Sequence, residues 1–77
     1  MKLYVAECYD RHIEPVIKVF DTKDAAISYA KDFVHDNARH KDSIEEEQFD
    51  WALYFCTYST EGDHVLVKET TLIEQKP

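Results

Sequence analysis

Residues 23–38 read KDAAISYAKDFVHDNA, and their apolar side chains recur every three or four positions. This spacing is typical of an amphipathic helix with one apolar stripe. Asp21 or Thr22 can cap the first turn, and Asp24 lies where an acidic side chain favours the helix dipole. The pattern predicts a helix over residues 23–38 that packs through one face.

Two pairs of strands are predicted, one on each side of this helix. Residues 2–9 and 16–20 are rich in β-branched and aromatic side chains, and the short polar connection between them favours an antiparallel hairpin. Residues 51–59 and 64–73 form the second pair, around a turn that contains Gly62. The order β-β-α-β-β predicts a single α+β domain over residues 1–77, with a four-stranded antiparallel sheet and one main helix packed on one face.

The third strand and the segment before it carry two further signals. Residues 51–56 are apolar on both sides of the strand, which favours a central position and a spatial order 2-1-3-4. Ser43 and Glu46 match the spacing of a capping box, so a short helix is also predicted before the third strand. The last residues, 75–77, are predicted to form a short tail.

Alternation along the strands predicts two apolar sheet faces. One face is expected to form the core under the helix, and its residues are Leu3, Val5, Ile17, Val19, Trp51, Leu53, Phe55, Val65 and Val67. The opposite face is rich in tyrosine, a residue enriched at interfaces. The side chains predicted to form an interface there are Tyr4, Phe20, Tyr54, Tyr58 and Leu66. The alternative is a sheet face partly covered by the segment 39–50.

The net charge of −7 comes entirely from one half of the chain. Residues 1–41 carry seven acids and seven bases, whereas residues 42–77 carry nine acids and two bases. This asymmetry disfavours nucleic acid and anionic membranes as direct ligands, because both require clustered Lys and Arg. It favours a partner protein with a basic surface, bound by an acidic segment formed by Asp42, Glu45, Glu46, Glu47 and Asp50. The alternative for this segment is a solvated loop.

The spacing of the cysteines and histidines does not match a catalytic or metal-binding pattern. His35 and His40 are five positions apart and do not share a helix face, and Cys8 and Cys56 both lie inside predicted strands. We therefore expect no enzyme activity, no catalytic residues, no metal and no cofactor. No apolar signal segment or membrane-spanning stretch is recognised, which predicts a cytoplasmic protein with reduced thiols.

In its general architecture the chain resembles the small acidic inhibitor proteins made by bacteriophages, including anti-CRISPR proteins. The features that carry this resemblance are the length of 77 residues, Met1 leading directly into a strand, the hairpin-helix-hairpin order and the acidic run Glu45-Glu46-Glu47. The resemblance implies a stoichiometric inhibitor that occupies a basic nucleic-acid-binding surface of a host enzyme. The alternative function is a homodimeric structural or accessory protein that pairs through its tyrosine-rich sheet face.

Overall fold

The computed structural model describes residues 1–71 and forms one helix packed against one antiparallel sheet. The α+β class with a single main helix is therefore confirmed. The sheet has five strands, so the prediction of four was wrong, and their order is β2-β1-β5-β4-β3. The elements are β1 (Lys2–Tyr9), β2 (Val16–Phe20), α1 (Lys23–Asn37), a 3₁₀ helix (Lys41–Ser43), β3 (Glu45–Glu47), β4 (Tyr54–Thr57) and β5 (His64–Thr71).

The helix α1 begins and ends almost where its apolar spacing predicts. The hydroxyl of Thr22 caps the first turn by accepting a hydrogen bond from the backbone amide of Ala25, at 3.2 Å. The helix ends before Ala38, whose amide donates to the carbonyl of Val34. Ala26, Ala30 and Val34 form its buried stripe.

The strand order differs from the predicted order because β5 lies in the middle of the sheet. β5 pairs with β1 on one side and with β4 on the other. Its residues Val65, Leu66 and Val67 are consecutive and all buried, which is typical of a strand with a neighbouring strand on each side. The predicted third strand is shorter than expected, Tyr54–Thr57, and lies between β5 and β3. The predicted end of β5 at Ile73 and the tail 75–77 lie outside the described residues.

The acidic segment forms a strand where a short helix was predicted. Ser43 belongs to the 3₁₀ helix, and its amide donates to the carbonyl of His40 at 3.0 Å. Glu45, Glu46 and Glu47 then pair with Thr57, Cys56 and Phe55 of β4. The capping-box interpretation of Ser43 and Glu46 was wrong because pairing with β4 provides backbone partners that an exposed helical turn lacks.

The helix packs on the sheet face opposite to the one predicted. Apart from Tyr58, the core consists of small and medium-sized side chains, and the buried members from the sheet are Ala6, Cys8, Cys56, Tyr58, Val65 and Val67. These meet Ala26 and Ala30 of α1, so small side chains face each other across the two layers. Close approach of a helix to a sheet needs small side chains on both sides, which explains the choice of face.

The strand register shows which members of the predicted core face lie under the helix and which do not. Val65 pairs with Cys8 and Cys56, and Val67 pairs with Ala6 and Tyr54, so both valines lie on the helix-covered face. Other members of the predicted core face lie on the opposite side of the sheet. Four of them are large hydrophobic residues that are exposed: Ile17, Val19, Trp51 and Leu53.

The turn between β4 and β5 contains Gly62, as predicted from the sequence. Gly62 has a φ of +93°, the left-handed conformation that glycine adopts without steric cost.

Among residues 1–71, no helix is long and apolar enough to cross a membrane.

Candidate protein-docking surface

The face of the sheet turned away from α1 carries an exposed apolar surface. We call it the open face, and it includes Val5 and Glu7 of β1, Ile17 and Val19 of β2, Leu66 and Lys68 of β5, and Phe55 of β4. Val19 is 57% exposed and Ile17 is 50% exposed. Among the described residues, this face has no second layer, so large apolar side chains meet solvent. A contiguous exposed apolar surface commonly marks an interaction site.

Three aromatic rings form a compact cluster at one end of the open face. The rings of Phe49 and Trp51 are stacked with centroids 5.2 Å apart, and Phe55 meets both edge-on at 5.0 and 5.8 Å. Phe49 is 39% exposed and Trp51 is 56% exposed. We call this group the aromatic cluster. Because its rings support each other, the exposed surface of Trp51 is held in place before any partner binds.

The acidic strand β3 borders the aromatic cluster. Glu47 pairs with Phe55 and Glu45 pairs with Thr57, so both carboxylates lie on the open face. Glu46 points to the opposite side of the sheet, where its carboxylate accepts a 2.6 Å hydrogen bond from the hydroxyl of Tyr54. The carboxylates of the acidic run are therefore divided between two faces and do not form one continuous row.

The remaining acids of the predicted binding segment are exposed and lie outside β3. Asp42 is in the 3₁₀ helix, and Asp50 is in the turn next to Trp51. All five predicted acids are exposed to solvent. The structure brings Glu45, Glu47 and Asp50 into the neighbourhood of the aromatic cluster, and places Glu46 beside the helix-covered face.

A polar network crosses the middle of the open face. Lys68 forms an ion pair with Glu7 at 2.8 Å, and the hydroxyl of Tyr9 donates to the same carboxylate. Burial opposes ionisation of Glu7, but Lys68 and Tyr9 outweigh it, so the pKa of Glu7 lies below its ordinary value. His64 lies between the rings of Tyr9 and Phe55, with centroids 5.1 and 5.4 Å away. The network separates Ile17 and Val19, which we call the apolar strip on β2, from the aromatic cluster.

The residues predicted to form a tyrosine-rich interface do not lie on this open face as a group. Tyr58 is buried in the core, and Tyr4, Phe20 and Tyr54 pack against it on the helix-covered side. Only Leu66 lies on the open face, where it is 7% exposed between Glu7 and Phe55. The predicted assignment of Tyr4, Phe20, Tyr54 and Tyr58 to an uncovered face was wrong, because α1 covers the face on which they lie.

Phe49, Trp51 and Leu53 were not recognised as surface residues from the sequence. A usable signal was present, since Glu45, Glu47, Phe49, Trp51, Leu53 and Phe55 all occupy alternate positions. A series with this period that begins with two glutamates is more typical of an exposed face with an apolar end than of a core.

A concavity of about 310 Å³ lies at the end of the sheet beside the β4–β5 turn. The buried carboxylate of Asp10 accepts hydrogen bonds from the Tyr58 hydroxyl at 2.8 Å and the His12 amide at 2.9 Å. Asp63 accepts from the Arg11 amide and from the hydroxyl of Ser59. These bonds tie the end of β1 to the β4–β5 turn, and they satisfy both carboxylates. The arrangement is a structural network.

The two cysteines lie apart from each other in the core of the described part of the chain. Cys8 and Cys56 are both buried and free. Both pair with Val65 from opposite sides, so two strand spacings separate them, about 10 Å, too far for a disulfide. Within residues 1–71, no group of three or more His, Cys, Asp or Glu side chains is placed to hold a metal ion.

Comparison with protein-family models, curated proteins and solved structures found no match to this chain.

Proposed function

We propose that this protein is a small acidic binding module that docks a partner protein surface carrying lysine and arginine around an apolar patch. The observation that carries the proposal is the exposed aromatic cluster of Phe49, Trp51 and Phe55, bordered on the same face by Glu45 and Glu47. An apolar centre with a charged border is the usual anatomy of a protein interface. The negative border requires a positive counterpart on the partner.

Trp51 is the expected centre of the binding energy. Tryptophan is enriched among residues whose truncation costs about 2 kcal/mol or more of binding energy, and its exposed ring can also accept an arginine or lysine over its face. The exposed carboxylates contribute little affinity singly, but together they steer a basic partner and raise its association rate. The net charge of −7 adds to this steering.

The finer form of the proposal is a stoichiometric inhibitor that occupies a basic nucleic-acid-binding surface of a host enzyme. Such surfaces cluster Lys and Arg to neutralise phosphates, and they therefore attract an acidic protein. The division of Glu45, Glu46 and Glu47 between two faces supports recognition through an aromatic centre with acidic borders more than imitation of a continuous phosphate series.

Matched bait proteins test the proposal. The docking variant replaces Glu45, Glu47 and Asp50 with Gln, Gln and Asn, and the control variant replaces the exposed acids Asp21, Asp32 and Asp36 with Asn, so both have the same net charge. We expect a partner captured from cells by the wild type and the control to be lost from the docking variant. With that partner purified, the docking variant should associate about tenfold more slowly at low salt, whereas the control should associate nearly at the wild-type rate.

Trp51→Ala tests the apolar part of the same surface. It should weaken binding about 30-fold, which corresponds to about 2 kcal/mol, mainly through faster dissociation. Trp51 is the only tryptophan in the chain, so its fluorescence reports binding directly in the wild-type protein. Equal association rates for the two charge variants, or a partner contact surface without Lys and Arg, would refute the proposal.

A second candidate function is self-association, for which the apolar strip on β2 is the specific observation. Ile17 and Val19 are both about half exposed on the open face, and they lie at the far side of the sheet from the acidic strand β3. A homodimer that pairs through this strip would separate to monomers when Ile17 and Val19 are both replaced by Glu, as measured by sedimentation. A wild-type monomer at all concentrations would rule this candidate out.

A further inference from the structure

We infer that the docked partner is an extended segment with alternating basic and apolar residues, which adds to β3 as a further strand. This inference rests on the proposed function and specifies the form of its partner. Three observations carry it: the free edge of β3, a groove between β3 and α1, and the different charges on the two sides of that strand.

The outer edge of β3 is available for strand addition. β3 is the last strand in the order β2-β1-β5-β4-β3, and among residues 1–71 it pairs with β4 alone. Its three residues are all exposed. An edge strand presents unpaired amide and carbonyl groups, and an extended peptide can hydrogen-bond to them as an added strand.

A groove lies on the helix side of β3 because α1 is displaced towards the other end of the sheet. The helix packs mainly on β1, β5 and β2, and this leaves β4 and β3 less covered. A concavity of about 400 Å³ results, with an apolar part formed by Val34, Ile44 and Tyr54. Another concavity, of about 240 Å³, shares Glu46 and Tyr54 with this groove and is otherwise lined by residues 47–49, 52 and 53 between β3 and β4.

The two sides of β3 favour different side chains on an added strand. On the open face, residues opposite Glu45 and Glu47 would lie within about 5 Å of them, where opposite charges stabilise a strand pair. On the helix side, the carboxylate of Glu46 is engaged by Tyr54, and the ammonium of Lys31 lies 5.5 Å from the centre of the Tyr54 ring. Lys31 disfavours a second cation there, so an apolar side chain fits the groove.

The same charges disfavour a second copy of this chain at the β3 edge. Self-pairing of β3 would place glutamates opposite glutamates, and like charges opposite each other destabilise a strand pair. The occupant must therefore differ from β3 in charge. Basic residues at alternate positions satisfy this requirement.

A defined peptide tests strand addition with the full chain. The probe is Lys-Val-Arg-Ile-Arg-Val-Lys, and its binding is followed by Trp51 fluorescence and by amide hydrogen exchange of residues 45–47. One control peptide has the same sequence with its central backbone amides N-methylated, and a second, Lys-Arg-Val-Ile-Val-Arg-Lys, has the same composition without strict alternation. We expect the probe to bind about tenfold more tightly than either control and to slow exchange in β3.

Protein variants separate the failure of this inference from the failure of the proposed function. Glu45→Gln with Glu47→Gln should weaken binding of the probe, whereas the control pair Asp32→Asn with Asp36→Asn should not. Equal binding of the N-methylated peptide, still weakened by the glutamine variant, would overturn strand addition and leave basic docking intact. Binding that the glutamine variant does not weaken would refute the acidic docking surface itself. Absence of binding by the probe would also overturn strand addition.

Discussion

At the scale of single residues, the hydrogen bond between Tyr58 and Asp10 joins parts of the chain that are 48 positions apart. Burial raises the pKa of Asp10, but the His12 amide and the Tyr58 hydroxyl outweigh it, so the pKa of this carboxyl lies below its ordinary value. The ionised form is thus the one that the fold stabilises. A lowered pKa contributes stability that is present above the ordinary pKa of about 3.9 and is lost as the pH falls through the folded value.

Tyr58→Phe should destabilise the protein because the buried carboxylate loses a donor. We expect the free energy of unfolding at neutral pH to fall by about 1–3 kcal/mol. The difference from the wild type should shrink as the pH falls below the ordinary pKa of about 3.9 and through the lower pKa of folded Asp10. Urea denaturation across this pH range measures both effects.

Tyr29→Phe is the matched control for this substitution. The Tyr29 ring packs against Phe20 at 5.5 Å, and its hydroxyl has no hydrogen-bond partner among residues 1–71. Its removal should change the free energy of unfolding by no more than about 0.5 kcal/mol. If Tyr58→Phe lowered the free energy of unfolding by the same amount at every pH, the hydroxyl would act through packing alone.

At the scale of secondary-structure elements, the stability depends on the side of the sheet that α1 covers. Val67 of β5 is fully buried between Ala6 and Tyr54 on the helix-covered face. Val19 of β2 is on the open face and more than half exposed. The two valines therefore provide a direct comparison of the two faces with the same side chain.

Val67→Ala should cost about 2 kcal/mol or more, because it removes two buried methyl groups and leaves a cavity beneath α1. Val19→Ala should cost no more than about 0.5 kcal/mol, since its side chain is already in contact with solvent. Chemical denaturation of both variants at one temperature makes the comparison. A larger loss of stability for Val19→Ala than for Val67→Ala would contradict the placement of the helix.

At the scale of the whole molecule, the two thiols report whether the fold opens as a unit. Cys8 and Cys56 lie on β1 and β4, on either side of Val65 in the centre of the core. Burial raises the pKa of Cys8 to about 11, and burial also raises the pKa of Cys56. Neither thiol is in its reactive thiolate form at neutral pH in the folded state.

Both thiols should react with an aromatic disulfide reagent at least about a thousandfold more slowly in the native protein than in denaturing urea. That factor follows from a stability of about 5 kcal/mol or more and a reaction that requires unfolding. The Val67→Ala variant should react about 30-fold faster than the wild type, in proportion to its lost stability. Rapid reaction of one thiol alone would instead indicate local opening of its strand.

The alternation and spacing of the sequence predicted the local elements because these depend on neighbouring residues. The helix over 23–38, a cap at Asp21 or Thr22, the first hairpin and the turn at Gly62 follow from apolar period, capping side chains and the freedom of glycine. The acidic character of the second half is likewise a property of the sequence alone.

Only the tertiary structure decided which side of each strand faces the helix, where β5 lies, and what the acidic segment forms. Both sheet faces are apolar enough to be a core, so composition does not distinguish them. The choice follows from close packing of Ala26 and Ala30 against Ala6, Cys8 and Cys56, a fit between residues distant in the chain. Glu45–Glu47 is a strand because β4 offers it backbone partners. The carboxylates of Glu45 and Glu47 border the aromatic cluster because they lie, like the cluster, on the face that α1 leaves uncovered.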